Sequence, residues 1–253
     1  MTPSTAVRTT EVADGIYQLR IDVDVGPSGF SFNQYLVVDD APLLFHTGPR
    51  RMFPLVQGAV EKIIPVRELR YIGFSHCESD ECGSMNEFLA IAPGASPVCG
   101  RTAARIDGDL FDRSPRALAD GEVLVLGKRR VRWLDAPHLP HNWECGFLFE
   151  EQSATLFCGD LFTQPGRGLP AVTRGDILGP SEALRRGGLD YFAHAQAAPV
   201  LLEKLAATSP RLLACMHGQA YEGDGGALIR ELARVLGASR GSAPGQLEQS
   251  PGA

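Results

Sequence analysis

Four short apolar runs in this chain each lead, within a few residues, to an ionisable side chain. Residues 71–74 run into Ser75-His76, and the run ending at Leu134 is followed by His138 and His141. Residues 155–158 precede Gly159-Asp160, and residues 211–214 precede Cys215-Met216-His217. Apolar runs this short, bounded by turn residues, read as strands. A fold in which every such strand delivers an imidazole or carboxylate as it emerges brings those groups together at one edge. Held together there, they repel or stay unpaired unless a cation neutralises them.

The densest of these segments is Ser75-His76-Cys77-Glu78-Ser79-Asp80-Glu81-Cys82-Gly83. It places His76, Glu78, Asp80 and Glu81 between a strand and a helix, where a rigid scaffold presents functional side chains. Singly, each reads as a solvated loop residue. As a set directly behind an apolar strand, they read as a metal site.

The remaining pattern supplies the scaffold. Residues 16–25 alternate and lead through Gly26-Pro27-Ser28-Gly29 into a second strand over 30–38. A third run over 42–45 ends at His46-Thr47-Gly48-Pro49, and helical spacing follows over 52–63. A helix over 83–92 and a strand at Pro97-Val98-Cys99 complete the first half. In the second half, 123–126 with 131–134 and 145–149 with 155–158 read as two hairpins. A Gly- and Pro-rich loop over 162–180 precedes helical material over 181–208, the strand at 211–214 and a last helix over 227–236. Strands clustered in both halves, with helices after them, predict two sheets packed face to face with helices outside, an αββα sandwich. This domain is expected over residues 1–237, and the Ser-, Gly-, Pro- and Gln-rich residues 238–253 are expected to be a disordered tail.

Composition narrows the partners. A net charge of -6 and a pI near 5.5 disfavour nucleic acid, whose phosphates need a basic surface. No apolar run reaches the roughly 20 residues of a membrane helix. Met1-Thr2-Pro3-Ser4-Thr5 lacks a basic region followed by an apolar one, so no secretory signal is expected and the cytoplasm is the expected compartment. The six cysteines include no Cys-x-x-Cys pair and read as small buried hydrophobes. Cys77 and Cys82 bracket the dense segment, where they are placed for oxidation.

The order of these motifs resembles the metallo-β-lactamase superfamily, whose signature is H-x-H-x-D-H, then a histidine, a bridging aspartate and a final histidine. It is most similar to the flavodi-iron branch and its flavin-free, oxygen-binding di-iron relatives, which write the first motif H-x-E-x-D-H. His76-x-Glu78-x-Asp80 fits that form, and His138-x-Pro140, Gly159-Asp160 and His217-Gly218 follow in order. The resemblance extends to about Leu236. It implies a first metal held by His76, Glu78 and His138, and a second held by Asp80 and His217, with Asp160 bridging. Glu81 stands where the family has a histidine; it either ligates the second metal or points away and leaves a position open. His138 is the expected ligand because it matches the family's H-x-P, with His141 as the alternative ligand or a partner that orients one. His46 and Tyr191 are expected to support ligands without binding metal, and His194 to sit on a polar helix face.

Glu78, Asp80, Glu81 and Asp160 with three imidazoles form an oxygen-rich set without thiolate, which suits iron or manganese better than zinc. The resemblance implies two iron ions that bind, and in an enzyme reduce, dioxygen or nitric oxide. Sensor and oxidoreductase both remain open. No glycine-rich phosphate loop suggests a flavin site. The chain ends where complete flavodi-iron enzymes append a flavodoxin-like domain, so a separate electron donor or signalling partner is expected; a homo-oligomer stays open. The alternative is a binuclear metallohydrolase acting on an ester, thioester or lactam, against which Glu78 and Glu81 count as replaced histidines.

Overall fold

The structure, a computed structural model, describes residues 2–3, 6–192 and 197–241. The first sheet contains β1 (Thr2–Pro3), β2 (Arg8–Ala13), β3 (Ile16–Asp24), β4 (Phe30–Val37), β5 (Leu43–Phe45), β6 (Tyr71–Gly73), β7 (Ser96–Gly100) and β8 (Arg116–Leu118). Its order is β1-β3-β4-β5-β6-β7-β8, with β2 also pairing β3. The second contains β9 (Val123–Val125), β10 (Arg130–Asp135), β11 (Gly146–Glu150), β12 (Thr155–Phe157), β13 (Val172–Thr173), β14 (Leu212–Ala214) and β15 (Ala220–Glu222). Its order is β13-β15-β14-β12-β11-β10-β9. Both sheets are mixed: the long hairpin β3–β4 is antiparallel, whereas β5, β6 and β7 run parallel, as do β12 and β14.

Alternation along the strands builds the layers. On β4, Tyr35 and Val37 face the second sheet, while Phe32 and Leu36 face the outer helices. Val131 and Trp133 of β10, Leu148 of β11 and Phe157 of β12 complete the inter-sheet core. Outside the first sheet pack α1 (Phe53–Val60), the short α2 (Ser79–Cys82), α3 (Met85–Ile91) and α4 (Arg101–Ile106). Outside the second pack α5 (Leu178–Arg186), α6 (Ala198–Ala206) and α7 (Gly225–Gly241). The architecture is the expected αββα sandwich. Trp133 fills the interior only because residue 146 is glycine: a Cβ there would stand 2.2 Å from the indole.

The differences from expectation are local. The helical stretch over 181–208 holds two helices, α5 ending at the Gly187-Gly188 pair and α6 starting at Ala198. The helix placed over 83–92 is α3, preceded by the extra turn α2 that carries Asp80 and Glu81. Helix α7 runs past residue 237 to Gly241, so the first four residues of the expected tail are helical; 242–253 lie outside the described residues, as does His194. No helix among the described residues is long and apolar enough to cross a membrane.

Polar ties join the two sheets at the end where β6, β12 and β14 terminate. Asn33 on β4 donates through Nδ2 to the Cys215 and Gly218 carbonyls, both at 2.9 Å, and the Tyr35 hydroxyl donates to Cys215 O at 2.7 Å. The Gly146 amide donates to Ser75 O at 2.9 Å. The loops after β6 and β14 are thereby each tied to the opposite sheet, and the Met216 amide donates to Gly159 O at 2.9 Å, which joins the loops after β12 and β14.

Candidate metal centre

Strand β6 is three buried or half-buried residues long, so the chain leaves the core almost at once and turns through Phe74, Ser75 and His76, all buried. Glu78 is the N-cap residue of α2, in extended backbone, and Asp80 and Glu81 occupy that helix's first turn. Carboxylates suit this end because the unpaired helix N–H groups carry partial positive charge. The Thr47 amide donates to Glu81 O at 2.7 Å and fixes the turn so that the Glu81 side chain points inward, with no exposed surface.

The second half contributes from three loops. Strand β12 leads through Gly159 to Asp160. Gly159 has φ +47 and lies so close to the His76 loop that a Cβ would stand 2.9 Å from Ser75 Oγ, so only glycine fits. Strand β14 leads through Cys215 and Met216 to His217. The turn after β10 carries the two histidines, and the structure sets them on opposite sides. Leu139 and Pro140 take the buried positions of that turn. His138 adopts left-handed backbone (φ 62) and is exposed, whereas His141 points at His76. The H-x-P match falls on the exposed histidine of this turn, and the alternative, His141, is the one gathered with His76, Glu78 and Asp160.

The described side chains gather into two adjoining groups. One contains His76, Glu78, His141 and Asp160; the other contains Asp80, Glu81 and His217; within each, the candidate ligand atoms all lie within 4.8 Å of one another. In the first, His141 Nε2 is 3.0 Å from His76 Nε2 and 3.1 Å from Glu78 Oε1. Asp160 faces both: its Oδ2 lies 3.6 Å from each of those Nε2 atoms, and its Oδ1 lies 3.1 Å from His217 Nε2. Asp80 Oδ2 is 3.4 Å from the same His217 nitrogen. His76 Nε2 and Glu81 Oε1, 3.8 Å apart, connect the groups.

Each inner imidazole is oriented from behind. His217 Nδ1 donates to Ser31 O at 2.8 Å, and its ring lies against Phe30 at 4.5 Å between centroids. With His76 Nε2 turned to the cluster, its Nδ1–H donates to Ser75 Oγ at 2.9 Å; that hydroxyl donates to His46 Nε2 at 3.0 Å, and His46 Nδ1 donates to Met216 Sδ at 3.1 Å. His46 is fully buried, and burial first, with the neighbouring His76 second, brings it down to about 3, so it stays neutral. Tyr191 stands farther out: its hydroxyl is 3.0 Å from Ser181 Oγ, and burial, helped by the Asp160 charge, raises it to about 12.

The electrostatics fit a cation. Both Glu81 oxygens are buried with no hydrogen-bond partner among the described residues. An unpaired buried carboxylate costs about several kcal/mol, so such a group holds a proton or meets a counter-ion. Burial, followed by the charges of Asp160 and Asp80, raises the Glu81 carboxyl well above its ordinary range. Burial opposes the charge on Asp160 too, but His217, His76 and His141 outweigh it and hold that carboxyl well below its usual value. His217 shows the converse balance: burial lowers it, Asp160 and Asp80 outweigh that, and it rises to about 10. Without metal the cluster balances its charge with protons, and metal uptake must displace them. Titrating a divalent ion into weakly buffered, metal-free protein at neutral pH is expected to release protons, with affinity that rises with pH. Glu81→Gln should reduce that release by about one proton per chain; equal release from parent and variant would place Glu81 outside the exchange.

Known proteins resemble this chain in sequence and in fold. The chain is 27% identical over 169 residues to a nitric oxide reductase of Moorella thermoacetica, covering 60% of this chain and 41% of that protein. It is 25% identical over 211 residues to a rubredoxin-oxygen oxidoreductase of Megalodesulfovibrio gigas, covering 79% and 51%. The chain thus spans about half or less of the curated relatives it matches. Its fold matches the flavodiiron core of Flv1 from Synechocystis sp. PCC6803 with a TM-score of 0.77 at 17% identity, covering 94% of this chain and 62% of that one. It also matches a fragment of putative diflavin flavoprotein A 5 from Nostoc sp. PCC 7120, with a TM-score of 0.77 at 17% identity, covering 92% and 98%. A family model described as ODP family beta lactamase matches residues 30–218. That span contains every residue of the two groups and closes one residue beyond His217, and the chain belongs to this family.

Proposed function

We propose that this chain holds two iron ions and uses them to bind and reduce dioxygen or nitric oxide, with electrons from a separate donor protein. His76, Glu78 and His141 would hold one ion and Asp80, Glu81 and His217 the other, with Asp160 shared. The observation that carries the reading is Asp160, whose two oxygens face the two groups separately. Four carboxylates and three imidazoles favour iron over zinc, and the relatives named a nitric oxide reductase and a rubredoxin-oxygen oxidoreductase supply the substrate class. When bound, the ions would supply electrons and the site at which a diatomic ligand attaches.

The protein's own contribution is orientation and solvent control. Ser31 O and the Ser75–His46 pair hold His217 and His76 with their Nε2 lone pairs inward. Phe30 and Phe32 pack on His217, and with Val25, Pro27, Pro165 and Leu184 they wall an apolar cleft of about 640 Å³ that reaches Asp80. Such a wall admits a small uncharged molecule and disfavours ions. The test is elemental analysis of protein purified anaerobically from iron-replete cells, with optical spectra before and after air. About two ions per chain, mostly iron, and a spectral change with air are expected. Zinc alone would overturn the iron assignment and favour the hydrolase.

A further inference from the structure

Cys77 and Cys82 enclose Glu78, Asp80 and Glu81 in sequence, and the fold brings their sulfurs to 3.7 Å, with the Cys82 thiol donating to Cys77 Sγ. All six cysteines are free, and Cys77 alone among them is not buried. Both residues line an open cleft of about 360 Å³ that is also walled by Arg50, Glu78, Met85 and Phe111. The chain holds an internal comparison. Cys158 and Cys215, at the ends of β12 and β14, also have their sulfurs 3.7 Å apart, but both are completely buried. Proximity is common to the two pairs; access is not.

We propose that Cys77 and Cys82 are a modification site, closed to a disulfide by hydrogen peroxide entering this cleft. The Cys77 sulfur attacks one peroxide oxygen, the O–O bond breaks, and the departing hydroxide takes the thiol proton as water, which leaves Cys77 as a sulfenic acid. The Cys82 sulfur then attacks the Cys77 sulfur; the S–O bond breaks, and the second water leaves with the Cys82 proton. The two thiols lose two electrons in all, and one peroxide becomes two waters. Closure requires the sulfurs to move from 3.7 Å to about 2.05 Å. Turning Cys77, which sits at the cleft wall, supplies that movement. The ring so formed contains three candidate metal ligands, so the bond would tie the ligand-bearing turn to itself. This chemistry depends on the thiols and not on which metal the centre holds.

The full chain as purified is treated with equimolar hydrogen peroxide, denatured, alkylated and digested, and the cysteine peptides are assigned by fragmentation in the mass spectrometer. The expected product has Cys77 and Cys82 joined, with two hydrogens lost and dithiothreitol restoring them, while Cys158 and Cys215 are alkylated as free thiols. Cys82→Ser should abolish the disulfide and leave Cys77 sulfenic acid that dimedone traps. Cys77→Ser should leave Cys82 reduced, and serves if Cys82→Ser does not fold. Direct conversion of Cys77 to sulfinic acid in the parent chain, or oxidation of Cys158 and Cys215 first, would overturn the proposal.

Discussion

Asp160→Asn is expected to reduce metal content from about two ions per chain to one or fewer, with affinity falling more than the 10- to 100-fold that loss of an outer hydrogen-bond partner costs. The cause is geometric as well as electrostatic. Asp160 is 8% exposed, and its two oxygens face opposite groups, 3.6 Å from His76 Nε2 and 3.1 Å from His217 Nε2. An amide keeps that shape but offers one weak acceptor oxygen and an NH2 that only donates, and it removes a negative charge shared by both groups. His217 also loses the first of the two carboxylates that raise it to about 10. Metal analysis after gel filtration reads the loss, and the spectrum of any remaining iron reports whether the ions are still coupled. Two tightly held ions in the variant would mean that Asp160 bridges nothing.

The second large effect separates two histidines in one turn. His141→Ala is expected to empty the first group of metal, since it removes the ring 3.0 Å from His76 Nε2 and 3.1 Å from Glu78 Oε1. His138→Ala changes an exposed side chain outside both groups, so stability should stay within about 0.5 kcal/mol and metal content should not move. The pair is its own control, because both substitutions alter the same turn. Loss of metal in His138→Ala with retention in His141→Ala would restore the sequence reading.

What the sequence revealed of this centre follows from how directly each residue is tied to a strand. His76, Asp160 and His217 each emerge three residues after the end of β6, β12 and β14, too few for the chain to wander, so their convergence was legible from apolar runs alone. His141 lies six residues beyond the end of β10, and the choice between it and His138 depends on which side of a turn Leu139 fills, which no periodicity records. Glu81 was legible as a carboxylate but not as an inward one; the Thr47 amide that fixes its turn comes from a segment 34 residues earlier. Among the strands, β2 was missed because RTTEVA is exposed over four of its six positions and has no buried face to impose a pattern. Helix α4 was missed because it buries only Ala103. The division between α5 and α6 was missed although Gly187-Gly188 marks it, since two glycines in a row outweigh the helical spacing on either side.

The arrangement of the two groups has a mechanical consequence. Each draws donors from both sheets: His76 and Glu78 meet His141 and Asp160, while Asp80 and Glu81 meet His217. An ion in either place would act as a rivet between halves that are joined at this end by hydrogen bonds, among them those of Asn33, Tyr35, Gly146, Ser31 and His46. Separating the sheets would then require breaking coordination bonds at two points close together, a hinge pinned twice. Metal supply would then set how readily this end of the sandwich opens.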